Sequence, residues 1–216
     1  MSSLGNKLVN NIYHVLFECF GPQYWWPGDS PWEICLGAVL TQNTNWGNVE
    51  KAIANLKTID SLCPRKILEM KRESLEEALR PSGYFKLKSV RLSNVARWWL
   101  ENVENDKLKK RPSNLDYWRD SILAVNGVGP ETADSILLYS FGLPTFVIDA
   151  YTRRIMHRHF NTPENVSYAV LRDLFMDNLP HDAKLFNEYH ALFVRLAKEL
   201  CRKNICLPSC PFASHE

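Results

Sequence analysis

No run of apolar residues in this chain approaches the roughly 18 that a membrane-spanning helix requires, and the opening stretch MSSLGNKLVN has no apolar core of the kind a secretory signal carries. Alternating apolar and polar residues, the mark of a half-buried strand, are missing, as is any repeat at a fixed period. An excess of charge is missing too: 26 Lys+Arg against 24 Asp+Glu leave a formal +2. Any affinity for nucleic acid must therefore come from where the cations sit, not from their total. With 45% hydrophobic and 23% charged residues, the composition excludes disordered and collagen-like classes and fits a soluble globular protein with one sizeable core or two small lobes. A cytoplasmic location is expected, nucleoid-associated in a prokaryote, with no membrane partner.

What is present is helical periodicity in almost every segment, which predicts a nearly all-α fold. Leu4, Leu8, Ile12, Val15, Leu16 and Cys19 form one stripe, and Gly21-Pro22 stops that helix. Ser30-Pro31-Trp32-Glu33 combines an N-cap serine, a proline at the first helical position and a glutamate placed for a capping box. Further helices are predicted at 46–58, 64–71, 74–80, 86–102, 114–125, 130–141, 150–160, 166–177 and 184–202, separated by short Pro, Gly and Asn signals. Cys19, Cys35 and Cys63 fall in apolar helical patterns and are expected in the core as small hydrophobes. The basic run Lys107, Lys109, Lys110 and Arg111, ended by Pro112, reads as a solvated loop.

Two predicted helices, DYWRDSILAV and ETADSILLYSF, flank the short turn NGVGP. Gly127 and Gly129 can take positive φ and leave no Cβ in the way of a close neighbour. Pro130 suits the first helical position, where its missing N–H is no loss. The N–H groups of the turn and first helical turn are then expected to face outward as an anion site, with a DNA phosphate as occupant. The plainer alternative is a tight helix-helix corner with no ligand. Asp149, preceding AYTRRIMHR, is a good helix N-cap, a role worth about 1 kcal/mol.

The stretch VNGVGPETADSILLYSFGLP followed by FVIDAYTRR resembles the endonuclease III superfamily of DNA glycosylases, whose hallmark is a helix-hairpin-helix, then a Gly/Pro-containing loop and an aspartate. GAVLTQNTNWGNVEKAIANL, LRPSGYFKLKSVRLSNVA and FNEYHALFVRLAKELC fall in the family's order, so the resemblance covers most of the chain. It implies a two-lobed helix-hairpin-helix glycosylase fold, with a barrel lobe over 24–139 and a second lobe from 1–23 and 140–216, and double-stranded DNA containing a damaged base held across a cleft by a monomer. It also implies Asp149 as the catalytic carboxylate. Glycosidic cleavage passes through an oxocarbenium-like sugar, and a carboxylate beside it can stabilise that charge and orient or deprotonate the attacking water.

Members that also cut the strand carry a hairpin lysine, and this chain has Glu131 in that position, next to Thr132. A glutamate cannot form the Schiff base that leads to strand cleavage, so a monofunctional glycosylase is expected. Tyr24, Trp25, Trp26 and Trp46 lie in connecting segments and are candidates for stacking on a flipped base, the alternative for each tryptophan being core packing. An alkylated purine carries positive charge, which indoles attract, and the WWP and LGAVLTQNT segments resemble the 3-methyladenine DNA glycosylases of the superfamily. Another base (mismatched adenine, uracil or an oxidised base) and a non-catalytic DNA-binding protein stand as alternatives. Gln42 occupies the place of a side chain that fills the gap left by the flipped base, or else makes an interhelix hydrogen bond. Lys86, Lys88, Arg91, Arg153 and Arg154 are candidate phosphate contacts.

The C-terminal stretch CRKNICLPSCPF resembles the family's iron-sulfur loop, but its spacing is Cys201-x4-Cys206-x3-Cys210 and no fourth cysteine follows. A degenerate remnant is expected, with no cofactor required. Zinc held by the three thiolates and a histidine such as His215, or an iron-sulfur cluster completed by a donor from elsewhere, are the alternatives.

Overall fold

The computed structural model describes residues 3–105 and 114–213. The basic run at 107–111, Pro112 and His215 lie outside the described residues. The chain divides into two compact units: an inserted unit, Gly28–Leu143, and a terminal unit, Met1–Pro27 with Pro144–Glu216. The segment before Gly28 is tied to the terminal unit, where Gln23 N–H donates to Glu188 Oε1 at 2.6 Å and Lys198 Nζ lies over the Trp25 ring.

Among the described residues there is no sheet, only an isolated antiparallel bridge between Cys201 and Cys206. α1 (Ser3–Phe20) opens the terminal unit; the inserted unit holds α2 (Pro31–Leu40), α3 (Trp46–Thr58), α4 (Pro64–Glu69), α5 (Arg72–Leu79), α6 (Phe85–Trp99), α7 (Leu115–Leu123) and α8 (Pro130–Ser135). A π turn, Leu100–Glu104, extends α6, and another, Ile136–Ser140, extends α8. α9 (Ala150–Phe160), α10 (Tyr168–Met176) and α11 (Ala183–Glu199) complete the terminal unit.

Side-chain caps start α2, α3, α4, α7, α9, α10 and α11. Ser30 Oγ accepts from Glu33 N–H at 3.2 Å, and the Glu33 carboxylate reaches back to Asp29 N–H and holds Lys57 Nζ at 2.8 Å. α2 is buried on nearly every side, from Trp32 to Leu40, and forms the axis of the inserted unit's core. Trp98 and Trp99 on α6 and Trp118 on α7 close around it. In the terminal unit Phe146 stacks on Phe175 at 4.0 Å, and Tyr189 stacks on Phe193 while its hydroxyl donates to Val9 O at 2.8 Å. Burying one such aromatic side chain contributes about 2–3 kcal/mol.

Two of the three cysteines expected in the core depart from that expectation. Cys35 is buried, but Cys19 is exposed and Cys63 half-buried. Cys19 lies at the edge of α1's apolar stripe, beyond the contacts that bury Ile12 and Leu16, and Cys63 caps α4 by accepting Lys66 N–H at its sulfur.

Candidate active site

The hairpin is α7, the turn and α8. Gly127 has φ +95, and a Cβ there would meet Arg91 Cγ at 2.4 Å, so only glycine fits. Gly129 was expected to share that freedom, but it sits extended at φ −95 and ψ 174, with open space where a Cβ would point. It serves as the N-cap of α8, with no side-chain cap bond, and its carbonyl accepts from Ala133 N–H at 2.9 Å. Buried charge holds the two helices of the hairpin together: Arg119 on α7 donates to both oxygens of Asp134 on α8, at 2.8 and 3.2 Å, and Asp134 is fully buried. Removing one partner of such a pair costs about 3–5 kcal/mol.

Gln42 makes the expected interhelix hydrogen bonds. Its Nε2 donates to Thr132 Oγ1 at 2.9 Å and to Gly127 O at 3.2 Å, while Arg91 donates to its Oε1. Thr132 is buried beneath the turn and Glu131 is exposed in the first turn of α8.

Four of the five cations proposed for phosphate make hydrogen bonds within the protein, Arg91 through Gln42. Lys88 is only 1% exposed and donates to Leu40 O at 2.8 Å and Ser82 O at 2.6 Å, so it is a structural strut of the inserted unit. Burial, with Arg91 adding repulsion, lowers its ammonium pKa to about 8. Arg153 donates to Val166 O at 2.6 Å, and Arg154 to Ala197 O and Cys201 O. The periodicity that placed these residues after PSGYF and after Asp149 carries no information on which carbonyls they meet. Lys86 is exposed.

Asp149 opens α9 as its N-cap. Thr152 N–H donates to Oδ1 at 2.7 Å, and Oδ2 lies 3.6 Å from His190 Nε2 of α11. Only 14% of the Asp149 side chain and 6% of the His190 side chain are exposed. Burial works against the carboxylate charge, but the neighbouring His190 and the Thr152 N–H outweigh it, and the Asp149 carboxyl titrates below its ordinary value. Sequence reading missed His190; its only signal was a histidine on an otherwise apolar helical face in NEYHALF.

The aromatics divide between the two units. Tyr24 is 89% exposed, Trp25 and Trp26 are half-buried with ring centroids 5.4 Å apart, and all three belong to the terminal unit. Lys198 Nζ lies 5.8 Å over the Trp25 ring. Trp46 is the first residue of α3 and packs against the core of the inserted unit. In the C-terminal tail Cys201, Cys206 and Cys210 gather around His159 of α9, and His159, Cys201 and Cys206 could hold a metal.

Residues 36–181 match the model of the HhH-GPD superfamily base excision DNA repair protein. The chain is 42% identical over 206 residues to the Methanocaldococcus jannaschii protein named "Putative DNA repair glycosylase MJ1434", covering 95% of this chain and 94% of that one. Its fold is similar to the H. pylori 3-methyladenine DNA glycosylase MagIII bound to 1,N6-ethenoadenine, with a TM-score of 0.72, 25% identity and coverage of 90% and 97%. It is also similar to an endonuclease III in a non-covalent complex with DNA, with a TM-score of 0.80, 19% identity and coverage of 98% and 94%. A hairpin closed by Gly127, a buried carboxylate capping the following helix and these matches lead to one conclusion: the chain belongs to the HhH-GPD superfamily and is an endonuclease III-like base excision repair DNA glycosylase.

Proposed function

We propose that this enzyme is a monofunctional glycosylase acting as a monomer in the cytoplasm, and that it hydrolyses the N-glycosidic bond of alkylated purines of the 3-methyladenine type. The observation that carries the reading is the pairing of two positions: Glu131 stands where a strand-cutting relative has lysine, and Asp149 is held ionised by Thr152 and His190.

A purine methylated at a ring nitrogen is positively charged, so breaking the C1′–N bond sends the electron pair onto the ring and leaves a neutral base. The deficit passes to the sugar as an oxocarbenium ion. An ionised Asp149 stabilises that cation, and water adds its oxygen to C1′ while its proton goes to the carboxylate or to solvent. No amine is available at residue 131 to take the place of water, so the product is an abasic site in an intact strand. The hairpin positions one phosphate at the N–H groups before α8. Tyr24, Trp25, Trp26 and Trp46 are the stacking candidates for the extruded base, and an indole against a cationic ring adds roughly 0.5–2 kcal/mol. The chemistry uses water and one carboxylate and requires no metal.

The alkylated base is favoured by the likeness to MagIII, whose structure is bound to 1,N6-ethenoadenine. The test is chromatography of bases released from methylated duplex DNA, beside duplexes carrying uracil, mismatched adenine or an oxidised base. Release of 3-methyladenine first and fastest supports the reading. Release of one of the other bases alone moves the specificity while keeping the chemistry, and release of none leaves a DNA-binding protein without catalysis.

A further inference from the structure

The iron-sulfur group that the endonuclease III resemblance implies does not fit the donors present. A four-iron cluster takes four cysteine thiolates, each on its own iron, which spreads the sulfurs well apart. Here the donors crowd around a single imidazole nitrogen. Cys201, Cys206 and Cys210 Sγ lie 3.3, 3.7 and 3.9 Å from His159 Nε2. Donor atoms of His159, Cys201 and Cys206 all lie within 4.8 Å of one another.

Those spacings belong to the coordination sphere of one small ion. With Zn–S near 2.3 Å and Zn–N near 2.0–2.1 Å, tetrahedral angles place nitrogen and sulfur about 3.6 Å apart and two sulfurs about 3.8 Å apart. The three nitrogen-to-sulfur distances straddle the first value. We propose that His159, Cys201, Cys206 and Cys210 form a closed, mononuclear tetrahedral zinc site that fastens the C-terminal tail to α9.

The surroundings are built for the charge. Three thiolates and a divalent zinc leave a net single negative charge, and Arg158 donates to Cys201 Sγ at 3.2 Å. The same guanidinium donates to Arg202 O and Lys203 O, both at 2.8 Å, and Arg154 donates to Cys201 O at 2.9 Å. Cys201 and Cys206 face each other across a backbone bridge, Leu207 N–H donates to Leu200 O, and Phe212 packs on Phe160. Residues 154, 158 and 159 thus turn one side of α9 toward the tail, and the helix that begins at Asp149 is pinned near its far end by His159. The fourth donor is an imidazole 42 residues upstream of Cys201, which is why the cysteine spacing alone reads as an incomplete cluster.

The test is metal analysis of the purified full chain, followed by replacement with cobalt(II). About one zinc per chain, and a cobalt form with the intense visible bands of tetrahedral thiolate coordination, is the expected result. His159→Ala and Cys206→Ser should each retain less than about a tenth of the zinc. His159→Cys should keep zinc and the fold but shift the cobalt bands, as a fourth thiolate replaces nitrogen. Iron with labile sulfide, a folded chain that retains no zinc after loading, or His159→Ala with an unchanged cobalt spectrum would each overturn the proposal.

Discussion

Asp149 Oδ2 lies 3.6 Å from His190 Nε2, so a buried carboxylate at the start of one helix faces a buried imidazole on another. His190 is a positioning residue: it touches Asp149, and through it sets the pH at which the carboxylate is charged. Asp149's folded pKa is depressed, so its contribution to stability is present above the ordinary value of 3.8 and is lost as pH falls through the depressed one. In His190→Gln the burial penalty is left opposed by Thr152 alone, and the carboxyl pKa rises. The acid limb of the pH–rate profile should move up. A lowered rate with an unmoved acid limb would mean that His190 only packs.

Gly127→Ala and Gly129→Ala should separate two roles of the hairpin turn. At Gly127 a methyl group meets Arg91 at 2.4 Å on a backbone at φ +95, and displacing Arg91 also releases Gln42. Denaturant midpoints should report a loss of about 1–3 kcal/mol. Gly129→Ala meets no atom within 4 Å and keeps an ordinary φ, so its stability should change by less than about 0.5 kcal/mol. If a phosphate backbone approaches this turn, Gly129→Ala should still weaken duplex binding; unchanged binding would favour a corner that carries no ligand.

Lys88 predicts a rise in stability in alkali. Its pKa is about 8 in the folded protein and 10.5 by ordinary reference, so between those values the unfolded chain holds the extra proton and stability increases with pH. Below about 8 both states are protonated and the burial penalty is constant. The difference between wild type and Lys88→Met in thermal melts, taken from pH 7.5 to 10.5 in steps of about half a unit, isolates this group from others titrating there. A difference that stays flat would contradict the assignment.

Glu131→Lys restores the amine that strand-cutting members of the superfamily carry. The variant should form a borohydride-trapped adduct with DNA containing a substrate base, which the wild type should not. An active variant that cannot be trapped would show that residue 131 does not face the sugar.

Much of the fold was legible because helix signals are local. Ser30-Pro31 starts α2, Gly21 ends α1, and the expected 46–58 and 150–160 helices coincide with α3 and α9. The hairpin and Asp149 were legible for the same reason, since turn glycines and caps act over a few residues. Contacts between distant residues were not. Neither Asp149 with His190 nor His159 with Cys201 can be read from spacing, because periodicity gives the face a residue occupies and not the face it meets. The burial of Lys88, a candidate phosphate contact by its place after PSGYF, was hidden on the same ground, since it depends on the carbonyls of Leu40 and Ser82.

The proposed hydrolytic base excision rests on the Asp149 carboxylate. Asparagine caps a helix about as well as aspartate, so Asp149→Asn preserves the start of α9 while removing the charge. The most direct measurement is single-turnover release of methylated bases from duplex DNA by wild type and Asp149→Asn, with strand integrity followed in parallel without alkali. Release by the wild type with the strand intact, and a loss of about 10²–10⁴-fold in the variant at unchanged duplex affinity, is the expected result. Equal release by the two proteins, or a strand cut by the wild type before alkali, would contradict it.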